Sequence, residues 1–171
     1  EDDEDDKDDE RKFEYCFKFA DLSLAAFADE YAWFGWITYV VPHAEQKGLT
    51  SYQSASLSTV GGCSALIGMT IASVLIDRNL MKENTVKNLS LLFMGVSSLI
   101  DPLCNTLVSL MAATFVFGFG AGAFDTAIFA LTKSVVGTEN LVKGISYISA
   151  ITTIATLATS GITGDTLYFN I

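Results

Sequence analysis

Two adjacent acids, Asp29 and Glu30, stand near the middle of an apolar stretch that runs from residue 19 to 41. The only other charged residue in that stretch is Asp21. A charged group at the centre of a membrane costs at least about 2.5–3.5 kcal/mol, so it usually faces the interior of a helix bundle or a wet cavity. We therefore expect at least one of the two carboxyl groups to bind a proton or a cation there. The alternative is a tilted segment in which one acid reaches the membrane surface or bonds to a nearby hydroxyl.

A third acid, Asp125, belongs to a stripe of residues at helical spacing. Gly118, Gly122, Asp125 and Phe129 fall at positions i, i+4, i+7 and i+11, and therefore on one face of a helix. Glycines on such a face let two membrane helices approach closely, which predicts that this face meets protein. Asp125 should then point away from lipid, which makes it a candidate for a substrate or ion site. The alternative is a structural acid that bonds to hydroxyls of a neighbouring helix.

The composition of the chain is strongly asymmetric. Half of the 171 residues are hydrophobic, the mean hydropathy is +0.39 and the net charge is −10. Residues 1–18 hold ten of the twenty acids and four of the ten bases, a composition that predicts a disordered, solvated segment. The remainder is more apolar than a soluble helical domain of this size, which makes a soluble bundle the weaker interpretation.

Five segments of the remainder are long and apolar enough to cross a membrane, since a hydrocarbon core of about 30 Å needs about 20 apolar residues per helix. We therefore predict an all-α fold, a polytopic membrane helix bundle. The Asp101-Pro102 pair should end the third segment and begin a tight hairpin. The predicted segments span about 19–41, 53–76, 88–104, 108–132 and 144–164.

The positive charges predict an orientation for this bundle. If residues 1–18 lie in the cytoplasm and the segments cross in turn, only Lys47 of the ten Lys and Arg residues falls outside. Cytoplasmic loops carry an excess of Lys and Arg, so this orientation is favoured, and the opposite one would break that rule badly. The nine residues predicted inside are Lys7, Arg11, Lys12, Lys18, Arg78, Lys82, Lys87, Lys133 and Lys143.

The second segment carries the same small-residue pattern as the fourth. Gly61 and Ala65 are four residues apart, as are Gly68 and Ala72, and this spacing predicts a second face for close helix packing.

The sequence shows no pattern that is typical of an enzyme. It holds no Ser, His and Asp set, no cluster with metal-ligand spacing and no phosphate loop, so we expect neither catalysis nor a cofactor. Cys16, Cys63 and Cys104 have no framework spacing and are interpreted as free thiols.

Three stretches together resemble the C-terminal half of monocarboxylate transporters. The first, YAWFGWITYVVPHAEQKGLTSYQSASLSTVGG, is similar to the start of that half. FGFGAGAF and VVGTENLVKGISYISAITTIATLATSGITG look like its tenth and eleventh helices with their connector. SVLIDRN resembles a cytoplasmic turn of the wider major facilitator superfamily, with Ser73 in place of a glycine and with Asp77 and Arg78 retained. The resemblance covers about residues 19–168.

The resemblance implies a twelve-helix carrier in the plasma membrane that moves a small organic anion such as a monocarboxylate by alternating access. This chain would be a fragment with helices seven to eleven, so the N-terminal half and the last helix would be missing partners. Phe129 would match an aromatic residue of the substrate pocket, and Asp77 and Arg78 would belong to a cytoplasmic gate. The alternative is a truncated membrane protein with a binding or scaffold role and no transport.

Two departures from the family pattern change the expected chemistry. The proton-coupled members that the chain resembles carry an Asp and an Arg one turn apart on the eighth helix, where this chain has Ala65 and Met69. A double proline near the end of the eleventh helix is replaced by Ser160-Gly161. The chain should therefore differ in its substrate or coupling, and Asp29 or Glu30 would have to supply the missing acid.

Overall fold

The fold is an all-α membrane helix bundle, as the sequence predicts. The computed structural model describes the backbone of residues 2–169 and the side chains of residues 17–161. A short 3-10 helix at Asp101–Leu103 connects the third α-helix to the fourth. The α-helices are α1 (Asp2–Gln46), α2 (Ser51–Asp77), α3 (Glu83–Ile100) and α4 (Leu107–Phe169).

The helix α4 contains both of the last two predicted segments. A single residue, Gly137, interrupts its helical backbone with φ 72° and ψ 168°. A positive φ is readily adopted by glycine and strains other residues, so Gly137 is the position at which the chain can bend. The two segments are therefore joined by a kink, where the sequence predicts a connector between residues 132 and 144.

The helix α1 is longer than the predicted segment at both ends. It passes through Pro42 and ends at Gln46, and its last turn is held by packing because Val40 and Ala44 are buried against the starts of α2 and α4. Its helical backbone begins at Asp2, within the segment for which the sequence favours disorder. Acidic residues near a helix N-terminus interact favourably with the helix dipole, which favours helix there. The side chains of residues 1–16 lie outside the described part, and solvation of this segment stays a prediction.

The boundaries of the other helices follow local signals. Thr50 caps α2 in a capping box, because the Gln53 backbone N–H donates to its hydroxyl while the Gln53 side chain accepts from its backbone N–H. The helix α3 ends just before the Asp101-Pro102 break, and the hairpin to α4 is six residues long, as expected for a tight connection.

Two helical stretches of the described residues are long and apolar enough to cross a membrane: Ser51–Asp77 and Leu107–Gly161. The second includes 55 residues and both sides of the kink at Gly137. Charged residues interrupt the apolar stretch of α1, and α3 has only 18 residues, with Glu83 and Lys87 in its first turns. Crossing by all five predicted segments stays a prediction.

The helix α4 is the centre of the bundle, since each of the other three α-helices packs against it. The contact with α2 is a seam of small residues. A Cβ atom at Gly118 would overlap the backbone carbonyl of Gly61, and one at Gly122 would overlap the carbonyl of Ala65. From the other side, a Cβ at Gly68 would overlap the carbonyl of Phe119. The prediction that the glycine stripe of α4 meets another helix is confirmed.

Candidate functional site

A partly open cavity of about 120 Å³ lies between α1 and the two parts of α4. Asp29 and Glu30 reach it from α1, and Asp125 and Phe129 reach it from α4. The four residues that the sequence singles out as binding candidates therefore line one space. The other lining residues are apolar or carry hydroxyl groups: Ala26, Phe124, Ile128, Thr132, Ile145, Ile148, Ser149 and Thr152.

The three acids differ in burial and in hydrogen bonding. Asp29 is 5% exposed, and its Oδ1 atom is buried without a hydrogen-bond partner. Glu30 is half-buried, and its Oε1 atom accepts a hydrogen bond of 3.3 Å from the Thr156 hydroxyl. Asp125 is also half-buried. The alternative of an acid bonded to a nearby hydroxyl therefore describes Glu30 and fails for the Oδ1 atom of Asp29.

A second cavity, of about 230 Å³, lies against the same three acids between α1, α2 and α4. Ala65 and Met69 form its wall on α2. These two positions are the ones at which the resemblance leads one to expect an Asp and an Arg. The acids of α1 and α4 thus border the space that the absent pair would have occupied.

An aromatic residue that is not among the predicted binding residues, Trp33, completes this second cavity. Its ring stacks with those of Trp36 and Phe117, at centroid distances of 5.7 and 6.2 Å, so neighbouring rings hold its position. The available signal was spacing, since Trp33 lies four residues after Asp29 and therefore on the same face of α1.

The predicted gate residues, Asp77 and Arg78, lie at the end of α2 and are exposed. Asp77 accepts a hydrogen bond of 3.3 Å from Ser73, while Arg78 is the C-cap residue of the helix. No ion pair joins either residue to another residue of the described range. Their gate role stays a prediction.

A larger open cavity, of about 590 Å³, begins at Asp77 and extends along α4 past Lys133. Phe129 and Ile145 line both this cavity and the acidic one. Phe129 is therefore part of the wall between the acids and the larger cavity.

Contacts near the two ends of the bundle tie α1 to other elements. Towards the N-terminal end, Lys87 forms an ion pair of 3.0 Å with Asp21. At the other end, the Lys47 ammonium group donates to the backbone carbonyls of Asp101 at 3.1 Å and Cys104 at 2.6 Å. His43 lies 3.4 Å from the Asp101 carboxylate, close enough for an ion pair when the imidazole is protonated. No pattern in the sequence predicts these long-range pairs.

An all-α membrane helix bundle with carboxyl groups around an internal cavity is an architecture suited to membrane transport. Comparison with known proteins agrees: the chain is distantly and partially similar to monocarboxylate transporters, which are members of the major facilitator superfamily. It is 21% identical over 115 residues to monocarboxylate transporter 2 of Rattus norvegicus, which is 66% of this chain and 24% of that protein. It is 28% identical over 114 residues to monocarboxylate transporter 12 of Mus musculus, 64% of this chain and 23% of that protein.

The hamster protein, monocarboxylate transporter 2 of Mesocricetus auratus, is 23% identical over 103 residues, which is 59% of this chain and 21% of the relative. The matched part of the chain thus spans less than a quarter of the length of these curated relatives. No family model matches the chain. No solved structure matches it significantly. The relatives are transporters and not enzymes.

Proposed function

We propose that this chain is one part of a twelve-helix carrier that moves a small organic anion, such as a monocarboxylate, across the plasma membrane by alternating access. It supplies helices seven to eleven, with residues 1–18 in the cytoplasm and 19–171 as the membrane region. An N-terminal half and a last helix complete the carrier. The proposal is supported by the two membrane-length helices and by the similarity to monocarboxylate transporters.

The observation that carries the proposal is the shared cavity of Asp29, Glu30, Asp125 and Phe129. These residues come from sequence positions about 100 apart, yet they meet inside the bundle. A helix that only served as a scaffold would gain nothing from an unpartnered Asp29 oxygen in its core, because a buried unpaired polar atom destabilises the fold by about 1–3 kcal/mol. Binding of a proton or a cation would remove that cost.

The same acids give the carrier a physical means of symport. An empty, charged cavity is costly to move through the low-dielectric part of the membrane, whereas a cavity whose acids have bound a proton or a cation is close to neutral. Loading of the acids would therefore favour both the approach of an organic anion and the change between outward-facing and inward-facing states. The anion itself would contact Phe129 and residues of the N-terminal half.

Access from the cytoplasm would pass the larger cavity that begins at Asp77. Phe129 and Ile145 separate it from the acids, so a movement of these side chains would open the path. Asp77 and Arg78 would act at its mouth as charged gate residues, with partners that form in another state of the cycle.

Transport is tested by reconstitution of the full-length protein that contains this chain into liposomes preloaded with unlabelled L-lactate. We expect saturable uptake of labelled L-lactate and of a second small monocarboxylate, pyruvate, above the uptake by preloaded liposomes that contain no protein. A matched sample with only residues 1–171 should show no uptake, since half of the cavity wall is absent. A correctly folded full-length protein that moves neither solute would contradict the proposal and favour the scaffold role.

A further inference from the structure

The charge around the two cavities is of one sign only. Asp29, Glu30 and Asp125 line both, and no Lys, Arg or His of the described residues lines either one. Lys133, the basic residue nearest along α4, lines the larger cavity beyond Phe129 instead. An anion placed between these acids would meet repulsion from this part of the carrier, whereas a cation would be attracted.

The geometry disfavours a bare metal ion as the cation. Among the side chains that the structure describes, no three acids, histidines or cysteines stand close enough together to hold a metal. Hard cations are bound by six or more oxygen atoms at about 2.0–2.6 Å, a shell that these separated carboxyl groups do not provide. The three acids surround a space that would suit a larger, more diffuse positive charge.

The remaining features of the walls fit such a charge. The residue Asp29 is only 5% exposed, and its Oδ1 atom is buried without a hydrogen-bond partner. This oxygen is therefore an acceptor without a donor. The indole of Trp33 supplies an aromatic surface beside the acids, and aromatic faces attract ammonium groups through the ring quadrupole.

We infer that the second cavity binds a small organic ammonium ion, whose N–H groups donate to Asp29 and Asp125 while its carbon atoms lie against Trp33. The inference rests on the proposed function, because it concerns the binding site of the same carrier. The ammonium ion would either accompany the transported solute or be a group of that solute. The absent Asp and Arg pair is consistent with this ligand, since Ala65 and Met69 leave an apolar wall where a guanidinium group would repel it.

Binding is tested with purified full-length protein in detergent, by the midpoint of thermal unfolding during titration with methylammonium chloride at constant ionic strength. We expect saturable stabilisation at concentrations at least fivefold lower than those needed with sodium or potassium chloride. Sodium acetate should add nothing beyond the effect of its sodium. Equal stabilisation by sodium would overturn the inference in favour of a metal ion, and stabilisation that requires acetate would overturn it in favour of an anion.

Variants locate the ligand. Asp29→Asn and Asp125→Asn should each weaken methylammonium binding at least tenfold, and Asp29→Glu should restore most of it. Trp33→Leu should weaken methylammonium binding more than sodium binding. Glu139→Gln removes an exposed acid of α4 that lines neither cavity and should stay within twofold of the parent.

Each variant is first compared with the parent by gel filtration, which shows whether it is folded. If a variant fails to fold, the inference is tested by the comparison of methylammonium, sodium and acetate in the parent protein. Unchanged methylammonium binding in folded Asp29→Asn and Asp125→Asn proteins would overturn the inference. Lactate uptake without methylammonium binding would overturn this inference and leave the proposed transport intact. Methylammonium binding without uptake of any monocarboxylate would contradict the proposed transport and leave this inference intact.

Discussion

At the scale of single residues, the two adjacent acids of α1, Asp29 and Glu30, have different surroundings. Successive helical residues point about 100° apart, so Asp29 and Glu30 leave α1 in different directions although both reach the same cavities. Glu30 turns towards the second part of α4 and accepts from Thr156, which supplies a neutral hydrogen bond for a half-buried group. Asp29 turns into the core, where its Oδ1 atom has no donor. Asp29 is therefore the acid whose state depends most on what enters the cavity.

The residues that surround Asp29 also limit what can respond to pH. Asp125 faces it from α4 and Glu30 neighbours it on α1, whereas the α2 wall offers only Ala65 and Met69. Among the residues that the structure describes, Asp29, Glu30 and Asp125 are therefore the ionisable side chains that line this cavity.

At the scale of helices, the contact between α2 and α4 depends on residues that have no side chain. The seam holds because the backbones touch at Gly61, Gly68, Gly118 and Gly122. The seam also positions the site, since Gly122 and Ala65 border the second cavity directly beside Asp125. A wider seam would move the wall of α2 away from the acids.

Gly122→Ala should destabilise the full-length protein by about 1–3 kcal/mol, the usual cost of forcing extra volume into a packed contact. The added Cβ would overlap the backbone carbonyl of Ala65, which cannot move aside as a flexible side chain could. Gly62→Ala is the matched control. It lies in the same seam region of α2 but faces open space, and alanine favours helix over glycine by about 1 kcal/mol. Thermal unfolding in detergent measures both, and equal stability of the two variants would contradict the packing described for the seam.

The sequence was sufficient for the helices because long apolar stretches dominate it, and sufficient for the seam because glycine spacing marks a protein-facing stripe. It was insufficient at Pro42, where tertiary packing of Ala44 carries α1 through a residue that usually ends helices. It was also insufficient at Gly137, where a polar connector stays helical except for one residue. The spacing of Trp33 from Asp29 puts it on the same face of α1, but that the four binding candidates line one cavity, and that a larger cavity lies beside it, depends on how the helices meet.

At the scale of the whole molecule, the contacts of the loops are compatible with the orientation that the positive charges predict. The one basic residue predicted outside, Lys47, is bound to the carbonyls of the loop between α3 and α4, which the same orientation also puts outside. The predicted inner end holds Lys87 paired with Asp21. The order from residue 1 to 171 is therefore predicted to be inside, outside, inside, outside, inside and outside.

The orientation is tested by labelling of single cysteines in the full-length protein in intact cells with a membrane-impermeant maleimide. The exposed Gln46 beside Lys47 is replaced by cysteine, so that the bonds of Lys47 are kept, and Lys143→Cys serves as the inner position. The native Cys16, Cys63 and Cys104 are replaced by serine or alanine beforehand. We expect label on Gln46→Cys alone, and on both after permeabilisation. Label on Lys143→Cys in intact cells would contradict the orientation.

The central claim is that the acids of α1 take part in transport, and the dependence of uptake on external pH tests it most directly. Labelled L-lactate uptake is measured from pH 5.5 to 8 in cells that express the full-length protein, with Asp29→Asn, Glu30→Gln and Asp125→Asn made singly and Glu139→Gln as the control. Surface expression is measured for each.

We predict that parental uptake rises as the pH falls, since protonation neutralises the cavity and favours entry of the anion. Asp29→Asn should abolish most of this rise while surface expression is kept, and Glu139→Gln should leave the profile unchanged. Parental rates and an unchanged pH profile in all three cavity variants would contradict the account, because the acids would then be structural.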